Sequence, residues 1–408
     1  MNTTFCMAPW VNIGIVPSGN FSLCCVSIQE DRDMSNKVEN PYEHQRKIFE
    51  VDTEDELHIG SIHDNTLEEI WNNDKMKTIR LKMLKGEPIL NCETCYYSES
   101  ITGTSERKRF EQKYFYSHKD KLSQTKPDGS IPFEPLEWDL RLTNTCNFKC
   151  RDCYSVLSSS WEEESKRLNV DVSAPKIDEQ KVLDELEPLY SSVKEVYFAG
   201  GEPFISDHHY HIIDKLLEND ADPTIRYNTN LSTLTYKGRD LIEIWKNFTE
   251  VELHVSFDGL GERGELIRKG FDSKRFIKNI QRIQKELPNL VLHYNFVVYL
   301  LNAYHFMDAH EFMVDHKILR TCDSITFTLL QDPQYLRITT LDSESKKEVI
   351  EKIQNSKLKS HYDHILRYLL KEDNSSFIPQ FKFMTDGLDA IRNESTLETI
   401  PELHRLLK

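Results

Sequence analysis

The chain has 408 residues with 38% hydrophobic and 29% charged side chains, a composition that indicates a globular protein of two or three domains. Its formal charge of −16 argues against general binding to nucleic acids or anionic membranes, because their phosphates would repel it. The N-terminus lacks the basic and apolar segments of a secretory signal, and no apolar run approaches the roughly 20 residues that span a bilayer, so we expect a cytoplasmic protein.

Residues 1–100 are predicted to form a first, cysteine-rich unit. A hairpin is expected between Phe5 and Val26, because its central turn contains glycine and asparagine, which tolerate positive φ angles. A helix is expected from Thr66 to Leu84, where apolar residues recur at helical spacing. Clustered cysteines in a cytosolic chain indicate metal binding rather than disulfides. The cysteines of this unit are Cys6, Cys24, Cys25, Cys92 and Cys95.

The rest of the chain is predicted to be a linker, an α/β core and a helical end. Residues 101–134 combine a charged stretch with a turn cluster, which indicates an exposed helix followed by a linker. Residues 135–333 alternate strands with crossover-length segments, a pattern typical of a parallel sheet that is either open or a partial barrel. A helical segment is expected over 334–408. Strands are expected at 137–142, 195–199, 224–228, 250–257, 290–298 and 324–330, and the clearest helices at 208–217 and 274–287.

Three cysteines lie in one loop directly after the first strand of this core. Cys146, Cys150 and Cys153 have the spacing Cys-x3-Cys-x2-Cys, and Tyr154 follows the third. Thiolates at such spacing bind either zinc or an iron–sulfur cluster. Three cysteine ligands on a four-iron cluster leave one iron open to a small molecule. The position of the loop favours an active site, because α/β sheets and barrels carry their sites at the carboxyl ends of strands.

A second motif, Gly200-Gly201-Glu202-Pro203, ends the next strand. Two glycines let the backbone approach a ligand closely, and Glu202 adds a carboxylate. Alone, this motif is more typical of a plain turn before a helix, but here it occurs one strand after the cysteine loop. Together the two motifs closely resemble those of the radical S-adenosylmethionine (SAM) superfamily over about residues 135–330. The resemblance implies a six-stranded partial barrel that holds a 4Fe–4S cluster and reductively cleaves SAM to a 5′-deoxyadenosyl radical.

The resemblance also implies roles for single residues. Cys146, Cys150 and Cys153 match the cluster ligands, and no acid or base residue is assigned to catalysis. Leu231 stands where a related turn of the family has glycine. The residues matched to SAM are Tyr154 beside the adenine, Gly200, Gly201 and Glu202 at the methionine amine, Asn230 in that related turn, Ser256 at the ribose and Arg268 at the methionine carboxylate.

The cysteines of the first unit form a second candidate cluster site. Cys6, Cys24, Cys92 and Cys95 supply four thiols, enough to saturate a 4Fe–4S cluster, with zinc as the alternative. Cys25 competes with Cys24, although the spacing from the preceding glycine favours Cys24. The pattern resembles the SPASM and twitch extensions of radical SAM enzymes, and the number of cysteines implies one auxiliary cluster. Those extensions usually follow the barrel, whereas here the matching segment precedes it.

The expected fold is therefore α/β: a partial (β/α)6 barrel of the radical SAM type with a small N-terminal cysteine-rich α+β auxiliary-cluster domain and a helical C-terminal segment. The resemblance implies an oxidoreductase or maturase that abstracts hydrogen from a peptide or protein side chain and takes electrons from a flavodoxin or ferredoxin. Dehydrogenation or rearrangement of a carbohydrate-like small molecule is the second interpretation. A non-enzymatic iron–sulfur or zinc regulatory protein is the third, and the Gly-Gly-Glu motif and Arg268 argue against it.

Overall fold

A computed structural model describes residues 4–27, 57–170 and 176–408. Its strands include the six that the sequence predicts for the α/β core, with ends that differ by at most two residues. The strands are β1 (Asn12–Ile15), β2 (Phe21–Ser22), β3 (Glu137–Leu140), β4 (Lys149–Cys150), β5 (Glu195–Phe198), β6 (Thr224–Thr229), β7 (Thr235–Tyr236), β8 (Arg239–Asp240), β9 (Val251–Ser256), β10 (Arg268–Lys269), β11 (Val291–Val298) and β12 (Ile325–Leu329).

The helices alternate with the strands of the core and then continue alone to the C-terminus, as predicted. None of the described helices is both long and apolar enough to cross a membrane. The α-helices are α1 (Ala8–Val11), α2 (Leu67–Trp71), α3 (Asp74–Lys85), α4 (Glu93–Thr102), α5 (Glu106–Tyr114), α6 (Asp120–Ser123), α7 (Glu162–Arg167), α8 (Glu179–Leu186), α9 (Asp207–Glu218), α10 (Leu241–Trp245), α11 (Gly261–Ile267), α12 (Ser273–Glu286), α13 (Phe306–Asp315), α14 (Ser343–Asn355), α15 (Asp363–Lys371), α16 (Ile378–Arg392), α17 (Thr396–Thr399) and α18 (His404–Leu407).

The main sheet has the strand order β12-β11-β9-β6-β5-β3-β1-β2. The pairs β3–β5, β9–β11 and β11–β12 are parallel, as expected for strands joined by helical crossovers. The core strands follow one another in the sheet in their order along the chain, which is the arrangement of a partial barrel. The predicted fold class, a mixed α/β fold with a parallel central sheet and a helical C-terminal region, is therefore confirmed.

The chain divides into two compact units, which are described separately. The first contains the N-terminal segment and part of the core, and the second contains the cysteine loop and the C-terminal helices. The first unit consists of Met1–Thr143, Ala174–Gly200 and Ser206–Ile225, and the second of Asn144–Ser173, Gly201–Ile205 and Arg226–Lys408.

In the first unit, the N-terminal hairpin is part of the main sheet. β1 pairs with β2 in antiparallel register, as predicted, and also pairs in parallel with β3, with Asn12 opposite Glu137. The predicted helix from Thr66 to Leu84 is in fact two helices, α2 and α3. The side chain of Asn73 accepts a hydrogen bond from the amide of Met76 and is the N-cap of α3. Hydrophobic spacing alone does not reveal either the parallel pairing or the helix restart.

The charged stretch after the first hundred residues is more buried than its composition predicts. Phe110 and Tyr114 of α5 are buried, and the Tyr114 hydroxyl donates to Glu137 at 2.8 Å. Arg109 also pairs with Glu137, at 2.5 Å, and lies 3.8 Å from Glu195. The expectation of an exposed helix failed here because pairing between opposite charges reduces the cost of burying them.

In the second unit, β9, β11 and β12 bury one face and leave the other partly accessible. Alternate residues such as Leu253 and Phe296 are fully buried. The opposite face is polar and contains Ser256 opposite Asn295 and Thr326 beyond it. In a barrel of this kind the apolar face packs against helices, so the polar face is the inner wall. The polar inner-wall residues are Glu252, His254, Ser256, His293, Asn295, Thr326 and Thr328.

Candidate functional site

Side-chain and backbone hydrogen bonds hold the loop with the three cysteines in place. The hydroxyl of Ser160 donates to the carbonyl of Cys146 at 2.6 Å, and the indole of Trp161 donates to the carbonyl of Cys150 at 2.8 Å. Cys150 lies in the short strand β4, opposite Arg268 of β10. Each of these cysteines is half-buried, and the loop presents their thiols close to Arg268.

Burial keeps these thiols protonated when no metal is bound. It raises the pKa of Cys153 to about 12 and also raises the pKa values of Cys146 and Cys150. A metal must therefore displace a proton from each sulfur. Among the described residues, no three of the cysteines bring their sulfur atoms within 4.8 Å of one another.

The Gly-Gly-Glu motif forms a close-packed turn. Gly200 has a φ angle of +113°, which side-chain-bearing residues rarely adopt, and a Cβ atom on Gly201 would lie 2.0 Å from the carbonyl oxygen of Thr145. The amide of Glu202 donates to that same carbonyl at 2.8 Å. Glycine is thus required at both positions, and the turn joins Glu202 to the start of the cysteine loop.

Three donors converge on the buried carboxylate of Glu202. The Thr229 hydroxyl and the Asn230 amide each donate to it at 2.7 Å, and the Phe204 amide donates at 3.1 Å. Burial nevertheless raises the pKa of Glu202 to about 7, while these hydrogen bonds act in the opposite direction. Asn230 also donates from its side chain to Asn147 in the cysteine loop, at 3.0 Å. The predicted residues Glu202 and Asn230 therefore lie beside the cysteine loop.

Leu231 adopts the backbone conformation that glycine normally provides. Its φ angle is +52°, in the left-handed region. Its amide donates to the Thr229 hydroxyl at 2.9 Å, and its carbonyl accepts from Asn279 at 2.9 Å. The side chain is fully buried. The departure from the family's glycine thus leaves the turn geometry intact, and burial of the leucine side chain offsets the conformational cost.

Arg268 is buried next to carboxylates. One of its terminal nitrogens donates to Asp258 at 2.8 Å, and its Nε is buried without a hydrogen-bond partner among the described residues. Asp258 also accepts from the amide of Val297 at 2.9 Å, which fixes its orientation. Burial and the nearby Asp258 raise the pKa of Asp152 to about 7, while Arg268 acts in the opposite direction. A guanidinium with an unused N–H group can bind a ligand carboxylate.

Ser256 and Tyr154 complete the set of residues matched to SAM. Ser256 is the last residue of β9, half-buried on the inner wall opposite Asn295. Asn295 in turn donates to Asn228 at 3.3 Å. Tyr154 follows the third cysteine and is half-buried. Its carbonyl accepts hydrogen bonds from the amides of Leu157 and Ser158, which form the turn after the loop. In the second unit the structure thus gathers a carboxylate, a guanidinium and several hydroxyl and amide groups around the three thiols.

In the first unit, the four predicted cysteines line one cavity. Cys6, Cys24, Cys92 and Cys95 all border one small cavity, together with apolar side chains such as Leu23 and Met83. Cys25 does not border it. Burial raises the pKa of Cys95 to about 11 and pushes the pKa values of the other three above their usual range. Four convergent thiols in an apolar cavity are the ligand set of a fully coordinated iron–sulfur cluster.

Arg107 of α5 also lines this cavity, and the sequence patterns did not indicate it. Its side chain is 5% exposed and binds Glu99 through two nitrogens, at 2.8 and 2.6 Å. A third nitrogen donates to the carbonyl of Phe5 at 2.7 Å, next to Cys6. The backbone of Arg107 and its positive charge both act to lower the pKa of Cys95, against the effect of burial. Arg107 therefore places a fixed positive charge beside the four thiols.

Two family descriptions match the chain where these sites lie. The radical SAM superfamily matches residues 140–313, and the SPASM iron–sulfur cluster-binding domain matches residues 6–96. Residues 140–313 therefore form a radical SAM domain, and residues 6–96 form a SPASM domain. The radical SAM domain binds a 4Fe–4S cluster and SAM, and the SPASM segment binds an auxiliary iron–sulfur cluster. In this chain the SPASM segment precedes the radical SAM domain, as the sequence predicted.

Solved structures of radical SAM proteins resemble this chain only at low identity. The native protein anSMEcpe with bound AdoMet is 19% identical over 56% of this chain, with a TM-score of 0.38. Streptococcus suis SuiB bound to S-adenosylmethionine is 14% identical over 70% of this chain and 63% of its own, with a TM-score of 0.36. This chain spans 60% of the length of anSMEcpe. A search of curated proteins finds no match.

The C-terminal helical segment supports the cysteine loop, which the motifs did not predict. Arg151, between the second and third cysteines, has a side chain that is 1% exposed and pairs with Asp389 at 2.6 Å and Glu394 at 2.9 Å. Lys269 of β10 also pairs with Glu394, at 2.5 Å. Asp389 further accepts from the amide of Thr396, at 2.7 Å. These contacts anchor the loop to α16 and the turn that follows it.

Proposed function

We propose that this chain is a radical SAM enzyme that abstracts hydrogen from a peptide or protein side chain, with the auxiliary cluster assisting the oxidation. The observation that carries the proposal is the convergence of Glu202 and Arg268 beside the three cysteines. When bound, the cluster and SAM supply one-electron cleavage of the sulfonium and a 5′-deoxyadenosyl radical that takes hydrogen from the substrate. A flavodoxin or ferredoxin is the proposed electron source.

The protein's own residues would bind and orient SAM. The ionised Glu202 carboxylate accepts hydrogen bonds and suits the methionine amine. Arg268 has an unused N–H group and suits the methionine carboxylate, with Asp258 holding its other end. Ser256 lies on the inner wall where a ribose hydroxyl can be bound, and Tyr154 offers an aromatic ring for the adenine. These assignments follow the geometry of the second unit together with the family's motifs.

The proposal of a peptide or protein substrate is supported by the inner wall of the second unit. Thr326 and Thr328 of β12 share a face with Asn295 and are exposed, so the polar wall is open to solvent along this strand. The proposal requires a substrate side chain to reach this wall, and the exposure of Thr326 and Thr328 is consistent with that requirement. His254 and His293 stack on the same wall with ring centroids 4.9 Å apart and provide polar contacts for that side chain.

Anaerobic reconstitution followed by activity measurements tests the proposal. The protein should hold about eight irons per chain in two clusters, and reduction should yield 5′-deoxyadenosine from SAM. Deuterium from a side-chain-labelled peptide should appear in the 5′-deoxyadenosine. Deuterium transfer from a labelled amino sugar, with none from peptides, would replace the peptide with a carbohydrate substrate. Zinc in place of iron, with no SAM cleavage, would overturn the enzymatic assignment.

A further inference from the structure

Three different metal-ligating side chains converge outside both cysteine sites. Cys322 and Asp323 belong to a 3₁₀ turn (Cys322–Ser324) just before β12, and His361 belongs to another 3₁₀ turn (Lys359–Tyr362) in the C-terminal segment. One ligand atom from each residue lies within 4.8 Å of the other two. Within residues 4–27, 57–170 and 176–408, this is the one group of three thiol, carboxylate or imidazole ligands that converges so closely.

Cys322 is more exposed than a free cysteine usually is. A lone cysteine before a core strand is most often a small buried hydrophobic residue. Here Cys322 is partly exposed, and the neighbouring Asp323 carboxylate is largely exposed. His361 is less exposed, at 22% of its side chain, and its Nε2 lies 3.1 Å from an oxygen of Asp323. The three ligand atoms are therefore close together and accessible from solvent.

The ring of His361 is oriented by a hydrogen bond on its far side. Its Nδ1 donates to the carbonyl oxygen of Leu358 at 3.1 Å. A carbonyl only accepts, so Nδ1 carries a proton, and a metal ion would take the place of the proton through which Nε2 contacts Asp323. Nε2 faces the side occupied by Asp323 and Cys322. Metal-binding histidines commonly have this arrangement, in which the second nitrogen is fixed by a carbonyl.

A buried histidine holds the two ligand-bearing turns together. His310 of α13 is fully buried. Its Nε2 lies 3.2 Å from the carbonyl of Cys322, and its Nδ1 lies 2.9 Å from the hydroxyl of Tyr362. A neutral ring satisfies both partners, donating to the carbonyl and accepting from the hydroxyl. His310 therefore fixes the backbone beside Cys322 relative to the residue that follows His361.

We propose that Cys322, Asp323 and His361 bind a zinc ion, with water as the fourth ligand. Thiolate, imidazole and carboxylate are the donors that zinc accepts in proteins, whereas calcium and magnesium prefer oxygen alone. Binding releases the thiol proton of Cys322 and the Nε2 proton of His361 to solvent, and it replaces the contact between His361 and Asp323 with two bonds to the metal. The ion would tie the turn before β12 to the C-terminal segment. This inference does not depend on the substrate or activity proposed above.

Zinc retention by the fully reconstituted protein tests the site. The holoprotein, with both clusters in place, is incubated anaerobically with zinc chloride, desalted and analysed for zinc and iron. We expect about one zinc per chain. Cys322→Ser and His361→Gln should each lose most of this zinc while keeping the same iron content, which shows that they remain folded. Zinc should also raise the thermal unfolding midpoint of the wild-type protein and leave that of Cys322→Ser unchanged.

Two matched variants separate this site from other cysteines and histidines. Cys25→Ser removes a partly exposed cysteine that does not line the auxiliary cavity, and His316→Gln removes an exposed histidine. Both should keep about one zinc. X-ray absorption at the zinc edge should show one sulfur among nitrogen and oxygen ligands. Equal zinc in Cys322→Ser and wild type, no retained zinc at all, or a zinc shell of several sulfurs would each overturn the proposal.

Discussion

The two cysteine sites of this protein are built in opposite ways. In the second unit, three cysteines lie within one short loop, and a four-iron cluster held by them would keep one coordination position for SAM. In the first unit, four cysteines come from three distant stretches of the chain and line one cavity. The local site is surrounded by polar groups that can bind a cofactor, such as Glu202 and Arg268, whereas the lining of the dispersed site is mainly apolar apart from Asn91 and Arg107. From this difference we propose that one cluster binds SAM and that the other is fully coordinated.

The largest expected effect is the loss of SAM cleavage, which should follow from a substitution at one cysteine site but not at the other. Cys150→Ala should abolish SAM cleavage, because the cluster that binds SAM loses a ligand. Cys95→Ala should remove about four of the eight irons and still cleave SAM to 5′-deoxyadenosine, without forming product. Iron content and 5′-deoxyadenosine are measured on both variants after anaerobic reconstitution, with Cys25→Ser as the control that keeps both. If Cys95→Ala kept a full cluster at Cys146, Cys150 and Cys153 and still lost SAM cleavage, the proposal that only this cluster cleaves SAM would be contradicted.

The ion pairs between Arg151 in the cysteine loop and the C-terminal segment should stabilise the folded protein. Arg151→Ala leaves Asp389 without an ion-pair partner and Glu394 with Lys269 alone, and it should destabilise the protein by about 1.5–3 kcal/mol, the usual contribution of a hydrogen bond to a charged group. Denaturant unfolding under anaerobic conditions measures the loss. Arg275→Ala removes a largely exposed pair with Asp272 and should change little. Equal unfolding midpoints for both variants would show that the C-terminal segment does not hold the loop.

SAM affinity should depend on the ionisation of Glu202. Its raised pKa of about 7 means that lowering the pH through 7 protonates the carboxylate and weakens its hydrogen bond from the methionine amine, so affinity should fall as pH falls. Glu202→Gln should bind SAM about tenfold or more weakly, since a hydrogen bond to a charged group contributes roughly 1.5–3 kcal/mol. Equilibrium binding between pH 6 and pH 8.5 measures both effects.

The affinity of Glu202→Gln for SAM should also lose its pH dependence. Glu265→Gln, which changes an exposed residue, should keep the pH dependence of the wild-type protein. A Glu202→Gln variant with the same pH profile as wild type would assign the dependence to a different group.

The smallest expected effect concerns the electronic environment of the auxiliary cluster. Arg107 places a positive charge beside the four thiols, which favours the more negative, reduced cluster. Arg107→Gln should therefore lower the reduction potential of this cluster, measured by an EPR-monitored redox titration, and leave that of the SAM-binding cluster unchanged. Lys108→Gln removes the same charge from the next residue, which does not line the cavity, and should shift the potential less. Equal shifts in both variants would mean that Arg107 acts only through overall charge.

The sequence predicts a site well when its residues are close together in the chain and poorly when they are far apart. The cysteine loop, the Gly-Gly-Glu turn and the core strands are determined by neighbouring residues, so spacing and hydrophobic alternation reveal them. The ion pair of Arg151 with Asp389 joins residues 238 positions apart, and the contact of Arg107 with Phe5 spans 102 positions. Such contacts depend on how distant elements pack, which periodicity does not encode. The parallel pairing of β1 with β3 was missed for the same reason.

Leu231 shows a second way in which a motif can mislead. A leucine in place of glycine casts doubt on the turn, yet its φ angle of +52° preserves the glycine-like conformation. The compensation comes from burial of the side chain and from the hydrogen bonds of its amide and carbonyl with Thr229 and Asn279. The preference for glycine at positive φ does not hold here, because the surrounding structure stabilises the leucine in this conformation.

The central claim is that the three-cysteine cluster binds SAM and the four-cysteine cluster does not. EPR spectra of the reduced Cys92→Ala/Cys95→Ala variant, recorded with and without SAM, test it most directly. The account predicts a single cluster signal that changes shape when SAM is added. A signal that SAM leaves unchanged, together with a SAM-sensitive signal in a variant that lacks Cys146, Cys150 and Cys153, would contradict it.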